Sequence, residues 1–401
     1  MELKEVDRIK RLLESGVQEG VFPGAVLLVA KGGEVCVRHE MGHRALEPEP
    51  ISMERETIFD LASLTKPLAT TLVMMRLMDA GKLGLDQSLG EIIPSASLKD
   101  KKDITPRLLL SHSAGLVDWK PYYLKLVEHE VEERKRVLRE WIIDEPFAYE
   151  PGKGSLYSDL GFMLLEWVIE EASGEGLADF LEKNFYGPLG LKMMFFVENP
   201  PRSPFEKGGG KDVEAFGKGG SEEGRASDPP EAGKEGGRVG EDEFAVTEDC
   251  PWRRRVIRGE VGDENAFAAG GYSGHAGLFG TVDDVYSIVN MLGEHYRGER
   301  RDFFRPETVQ EFFRRQEMVP DCTWALGWDT PSPVGSSAGK YFSPKSVGHL
   351  GFTGTSVWMD LDKDVIVILL TNRIHPTRNN EKIKAFRPKL HETVMLELGL
   401  A

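Results

Sequence analysis

A chain of 401 residues, 40% of them hydrophobic, can bury a large core, and by length it holds two or three domains or one domain with a sizeable insertion. With 66 Asp and Glu against 50 Lys and Arg the net charge is -16, which argues against a nucleic-acid or anionic-membrane partner; the run Arg253, Arg254, Arg255 is too short to reverse that. Three widely spaced cysteines, Cys36, Cys250 and Cys322, imply no disulfide framework, no apolar run is long enough to span a membrane, and the charged N-terminus is not a secretory signal, so a soluble cytoplasmic protein is expected.

In chain order, residues 1–14 predict an amphipathic helix with Leu3, Val6, Ile9, Leu12 and Leu13 on its apolar face. Residues 24–30 and 34–39 flank Lys31-Gly32-Gly33 and predict a hairpin. A short extended segment over 57–61 leads into Ser63-Leu64-Thr65-Lys66, after which an almost wholly apolar helix runs over 68–80 and closes at Gly81. Residues 127–143 predict a charged surface helix, and 160–171 a second buried one closed by Ser173-Gly174. Residues 200–245 are rich in Gly, Glu and Lys and cannot bury enough surface to offset their ordering entropy, so a disordered insertion is expected there. Beyond it come a helix over 281–292, capped by Thr281 with Asp284 three residues on, a hairpin of 354–361 with 365–372, and a terminal helix over 382–398. Strands thus come from both ends and helices from the middle. That order predicts an α+β fold: an antiparallel sheet from 1–62 and 250–401 with flanking helices, and an all-helical domain, 63–195, inserted between its strands.

Three short motifs carry chemistry. Ser63 and Lys66, three apart at a helix start, can form a nucleophile and its proton acceptor once burial and neighbours lower the lysine pKa, with helix-start N–H groups stabilising a substrate oxyanion. The bland alternative is Ser63 as a helix cap with Lys66 in solvent. Pro67 disfavours the helical region for Lys66 and so strains the helix at that point. Tyr157, before Ser158 and Asp159 at the next helix start, can act as a general base if a nearby ammonium lowers its pKa; alternatively Ser158 or Asp159 caps the helix and Tyr157 packs. His349-Leu350-Gly351-Phe352 lies where glycines let a substrate approach the backbone, and its histidine can donate to a substrate carboxylate or carbonyl. Alone, His349 would be a surface histidine. His112 and His275, beside glycines, read as structural hydrogen-bonding residues near the site. His39-Glu40-Met41-Gly42-His43 matches a zinc-peptidase pattern, but strand alternation, Gly42 and the lack of a third ligand argue against a metal.

Ser63-x-x-Lys66, Tyr157-x-Asp159 and His349-x-Gly351, in that order, resemble the serine β-lactamase and penicillin-binding-protein superfamily. The likeness is closest to its class C-like branch of D-Ala-D-Ala carboxypeptidases, D-aminopeptidases and β-lactamase-fold esterases. It extends over roughly residues 5–195 and 255–398, including Leu109 to Leu116, Gly274 to Phe279 and Gly351 to Thr355. The resemblance implies a β-lactamase/transpeptidase-like fold, no cofactor, Ser63 as nucleophile, and Lys66 and Tyr157 as the proton-handling pair. It implies an oxyanion hole from the N–H groups of Ser63 and Phe352, and Asp159, His349 and Gly351 at the substrate. Asp159 replaces the Asn of many β-lactamases and His349-x-Gly351 replaces Lys-Thr-Gly. The expected substrate is therefore a small ester, amide or peptide, cleaved by an esterase-like or D-amino-acid-peptidase-like enzyme. A β-lactamase or D-Ala-D-Ala carboxypeptidase proper is the alternative, with a non-catalytic protein of the same fold more remote.

Overall fold

The computed structural model describes residues 6–197 and 239–401, except 48 and 95. Residues 200–238 of the predicted insertion lie outside the described residues. Its C-terminal part does not: a turn at Glu241–Glu243 leads to buried Phe244 and Ala245, so the folded chain resumes ahead of the boundary expected at 245.

The strands are, in chain order, β1 (Gly24–Lys31), β2 (Glu34–Ala45), β3 (Ile51–Ser52), β4 (Phe59–Asp60), β5 (Phe195–Phe196), β6 (Val246–Cys250), β7 (Arg255–Arg258), β8 (Leu278–Gly280), β9 (Val347–Leu350), β10 (Ser356–Asp360) and β11 (Val365–Thr371). Six of them form one antiparallel sheet in the order β3-β2-β1-β11-β10-β9, drawn from both chain ends. At its centre β1 and β11 pair with Leu27 opposite Leu369 and Val29 opposite Val367. Both are continuous apolar runs because both of their faces are covered. Period-two alternation sends Ala25, Leu27 and Val29 against Ile9, Leu13, Phe386, Leu390 and Val394 of the helices Val6–Gln18 and Ile383–Glu397. Val26, Leu28 and Ala30 face the other way, into the core shared with the helical body.

That body packs the helices Thr71–Asp79, Val131–Asp144 and Asp159–Ser173 around Leu72, Leu138, Leu164 and Leu165. Ser158 caps Asp159–Ser173 by accepting from the Gly161 N–H at 3.3 Å, and Gly174 ends it at φ 75°. The helix expected over 127–143 starts later, at Val131: after a separate short helix at Tyr123–Leu126, Glu130 adopts an extended ψ of 144° and the chain enters Val131–Asp144. The first helix runs on to Gln18 and stops at Gly20, which adopts φ 66°. A second sheet, β4-β8-β5, ties both chain halves to the segment that carries Ser63. Among the described residues no helix is long and apolar enough to cross a membrane.

Candidate active site

β4 ends at Asp60, and the chain then turns sharply. Ala62 adopts φ 48°, a left-handed conformation costing roughly 1–3 kcal/mol for a residue with a side chain. Asp60 supports it: the buried carboxylate accepts from the Ala62 N–H at 2.8 Å and from the Gly262 N–H at 2.6 Å. Burial pushes that carboxyl up to about 6, against the two N–H donors. Ser63 sits in the single 3-10 turn Ala62–Leu64, followed by a π-helical turn, Lys66–Thr70, that runs into Thr71–Asp79. The π turn resolves the conflict at Pro67. The Thr71 N–H reaches back to the Lys66 carbonyl, so Lys66 stays within a widened helical turn instead of the extended conformation a following proline favours.

The Lys66 side chain is 0% exposed, which rules out a solvated lysine beside a capping serine. Its Nζ donates to Ser63 Oγ at 3.1 Å, Asp159 Oδ1 at 2.7 Å and the His275 carbonyl at 3.1 Å. Burial lowers the pKa of this ammonium, but the Asp159 carboxylate more than offsets that, and the net shift is upward. The expectation of a lowered lysine pKa is therefore corrected: the paired carboxylate, 93 residues away in sequence, outweighs desolvation. Tyr157 lies beside Lys66, with Nζ 4.9 Å from its ring centroid. Here burial raises the phenol pKa and outweighs the lysine charge, so Tyr157 stands as a neutral phenol, not the phenolate that sequence reasoning anticipated.

His349 is on edge strand β9, its ring 6.1 Å from Tyr157 and 5.8 Å from Trp324. Nδ1 faces the Leu350 carbonyl at 3.0 Å, and because a carbonyl only accepts, Nδ1 carries the hydrogen. Burial first and Lys66 second bring His349 down to about 3. It is thus neutral with a lone pair on Nε2, an acceptor and not the donor expected from sequence. His112, at φ 53°, accepts from the Ser158 N–H at 3.0 Å and packs on Tyr157 and Trp324. The His275 ring meets Asp263 at 3.0 Å while its carbonyl holds Lys66, so both histidines are hydrogen-bonding supports beside the cluster.

The opposite wall is the turn after β9. Thr353 and Thr355 hydroxyls donate to the carbonyls of Asp60 at 2.9 Å and Leu61 at 3.2 Å, tethering the Gly351–Phe352 backbone to the turn that carries Ser63. A Cβ on Gly351 would lie 2.8 Å from the Leu61 carbonyl oxygen, so only glycine permits this approach. Ser63, Tyr157, Asp159, His349, Gly351 and Phe352 all line one cavity of about 660 Å³, with Lys66 buried beneath it. Phe352, 52% exposed, and Trp119, 40% exposed, lie at its rim.

Sequence reasoning missed Trp324, Asp263, Arg373 and Arg387, which also belong to this cavity. Arg373 donates to the Phe352 carbonyl at 2.9 Å and to the Asn380 carbonyl; Arg387 donates to the carbonyls of Gly351 at 3.1 Å and Thr355 at 2.9 Å. Each is at most 6% exposed, and neither pairs with a carboxylate among the described residues. Burial, with Arg373 beside it, brings Arg387 down to about 9. One sequence signal was available: Ile383, Phe386, Arg387, Leu390 and Val394 share an apolar helix face, so Arg387 is a charge in a core position.

Among the described residues two groups of side chains have metal-ligand proximity, Asp159 with Asp263 and His275, and Glu248 with Cys250 and Glu264. Each already faces a cationic side chain. Lys66 sits on Asp159, and Arg378 pairs with Glu248 and with Glu264, the latter at 2.7 Å. His39 and His43 lie on strand β2, where four residues span roughly 13 Å, so they cannot share an ion as they would on a helix.

A family model described as Beta-lactamase matches residues 9–390. An N-acetylmuramyl-L-alanine amidase of Bacillus subtilis is 28% identical over 389 residues, covering 93% of this chain and 82% of the relative. An Escherichia coli K12 protein provisionally named a D-alanyl-D-alanine carboxypeptidase is 28% identical over 415 residues, covering 99% and 88%. Among solved structures, EstCE1, a hydrolase with promiscuous acyltransferase activity, superposes with a TM-score of 0.67 at 22% identity over 95% of this chain and 98% of its own. An octameric penicillin-binding protein homologue from Pyrococcus abyssi gives 0.68 at 19% identity over 98% and 78%.

Proposed function

This chain belongs to the beta-lactamase family of serine hydrolases, and from that premise we propose that it cleaves amide bonds in small substrates bearing a free carboxylate, through an acyl-enzyme on Ser63. Ser63 Oγ attacks the substrate carbonyl, the N–H groups of Ser63 and Phe352 receive the developing oxyanion, the amine leaves, and water cleaves the ester on Ser63. Lys66, with Tyr157 packed beside it, moves the protons.

The substrate class rests on Arg373 and Arg387. Two buried guanidinium groups that make no ion pair among the described residues are costly unless an anion arrives, and both hold carbonyls of the Gly351–Thr355 turn that faces Ser63. They stand in for the lysine absent from the third motif. The amidase and carboxypeptidase names of the two relatives agree with amide cleavage.

The test compares an N-acyl dipeptide of D-amino acids with its C-terminal carboxamide. A charge-assisted hydrogen bond is worth about 1.5–3 kcal/mol, so kcat/KM should favour the free acid by roughly 10- to 150-fold, and Arg387→Gln should erase most of that preference. Equal rates for the two substrates in the unmodified enzyme would end the carboxylate reading.

A further inference from the structure

A protonated lysine has three hydrogens to give, and Lys66 gives all three: to Ser63, to Asp159 and to the His275 carbonyl. With Ser63 Oγ accepting from it, Nζ has no lone pair for the serine proton. Something must first take a proton from Lys66. We propose that Asp159 does so, acting as the terminal proton acceptor when Ser63 is activated. This rests on the reading of Ser63 as nucleophile.

The surroundings leave no better candidate. Tyr157 sets its ring 4.9 Å from Lys66 Nζ, and burial holds its phenol in the neutral form. The His349 and His112 rings feel the charge of Lys66 and are pushed towards the neutral form, by burial first. The Asp263 carboxylate is committed to the His275 ring at 3.0 Å and to the Ala266 N–H at 2.8 Å. Asp159 makes no side-chain hydrogen bond among the described residues other than the one to Lys66. It is also the carboxylate in direct contact with Nζ.

The step balances. One N–H bond of Lys66 breaks as its proton passes to Asp159 Oδ1 across 2.7 Å, and the freed lone pair takes the proton of Ser63 across 3.1 Å while Oγ bonds the substrate carbon. Lys66 ends as it began, and the proton has moved from serine to carboxylic acid. It returns through Lys66 to the leaving nitrogen as the C–N bond breaks. An asparagine at this position could accept the same hydrogen bond but could not hold the proton, so the aspartate is a functional departure from the Asn of many β-lactamases.

The experiment reads phosphonylation of Ser63 by a fluorophosphonate, which needs an activated serine but no substrate carboxylate. In Asp159→Asn, labelling at neutral pH should fall about 10²–10⁴-fold, the usual range for losing a positioned proton acceptor. Its rate should then climb about tenfold per pH unit, because Lys66 must lose its proton to solvent instead. Asp159→Glu keeps a carboxylate and should keep the flat wild-type profile across neutral pH. Wild-type labelling in Asp159→Asn, or a loss equal at every pH, overturns the relay in favour of a structural role. If Asp159→Asn does not fold, a rate climbing with pH in Asp159→Glu overturns it alone. A wild-type protein unlabelled at Ser63 removes the nucleophile and the relay together. Normal labelling without discrimination between free acid and carboxamide removes the substrate reading only.

Discussion

Gly351→Ala is expected to slow turnover about 100-fold while leaving KM within about threefold, by displacing one donor of the proposed oxyanion hole. The new Cβ would stand 2.0 Å from Thr355 Oγ1 and 2.8 Å from the Leu61 carbonyl oxygen, where ordinary contact begins at 3.4 Å. The Thr355 side chain can rotate, at the loss of its 3.2 Å bond to that same carbonyl. The Leu61 carbonyl cannot, because it belongs to the backbone leading into Ser63. Residues 351 and 352 must therefore retreat by about 3.4 − 2.8 = 0.6 Å even after Thr355 yields. Crowding of this kind costs about 1–3 kcal/mol of stability, and a misplaced oxyanion donor costs roughly 10²–10³ in kcat. Steady-state kinetics on any turned-over amide, with thermal unfolding alongside, gives both numbers. Thr355→Ala alone removes a tether worth about 0.5–1.5 kcal/mol and should leave kcat within about tenfold, and the double variant should stay slow because the Leu61 contact persists. A Gly351→Ala enzyme with kcat within threefold of wild type would refute the placement of Phe352 at the oxyanion.

Asp60 links stability to pH. Its carboxyl rises from 3.8 to about 6 on folding, so the native state holds a proton that the unfolded chain has lost between those values. The contribution is fully present below pH 3.8 and is lost as pH rises through about 6, a difference of about 3 kcal/mol at 1.36 kcal/mol per pH unit. Urea unfolding of the wild type minus Asp60→Asn should fall by that order over the window, and parallel curves would sink the assignment. His349, held near 3, should remain the neutral Nδ1–H tautomer throughout the physiological range. Ring ¹⁵N shifts check this, and a His349 titrating near its ordinary 6.5 would mean that its Nδ1 bond and burial are misassigned.

The parts of the fold legible in the sequence are those whose signal is local and repeated. β1 and β11 announce themselves as apolar runs, and Ser158, Gly174 and Thr281 mark helix ends by the same capping chemistry in sequence and structure. β4 falls within the extended segment expected over 57–61, but β5 and β8, of two and three residues, are strands because of their partners: Gly280 pairs with Phe59 and Phe279 with Phe195. No local pattern encodes partners so distant in the chain. The late start of the helix expected over 127–143 is similar, since Glu130 is a good helix former that departs from helical geometry here.

Residue types at the site were legible for a different reason than their protonation states were not. Nucleophile, lysine and tyrosine are identities, carried by spacing within short motifs; a pKa belongs to the assembled neighbourhood. Sequence reasoning gave Lys66 the partners Ser63 and Tyr157, neither of them a carboxylate, and so predicted that burial and neighbours would make it a base. The structure gives it three, and the strongest of them, Asp159, is anionic and holds the proton on. The same reversal makes His349 an acceptor, because the Leu350 carbonyl claims its hydrogen. In the resting state Lys66, Tyr157 and His349 each carry their protons otherwise than the sequence suggested. If Lys66 is charged and Tyr157 neutral, activation must begin with a proton leaving Lys66, and the departure at Asp159 that first counted against β-lactam hydrolysis becomes the residue on which serine activation depends.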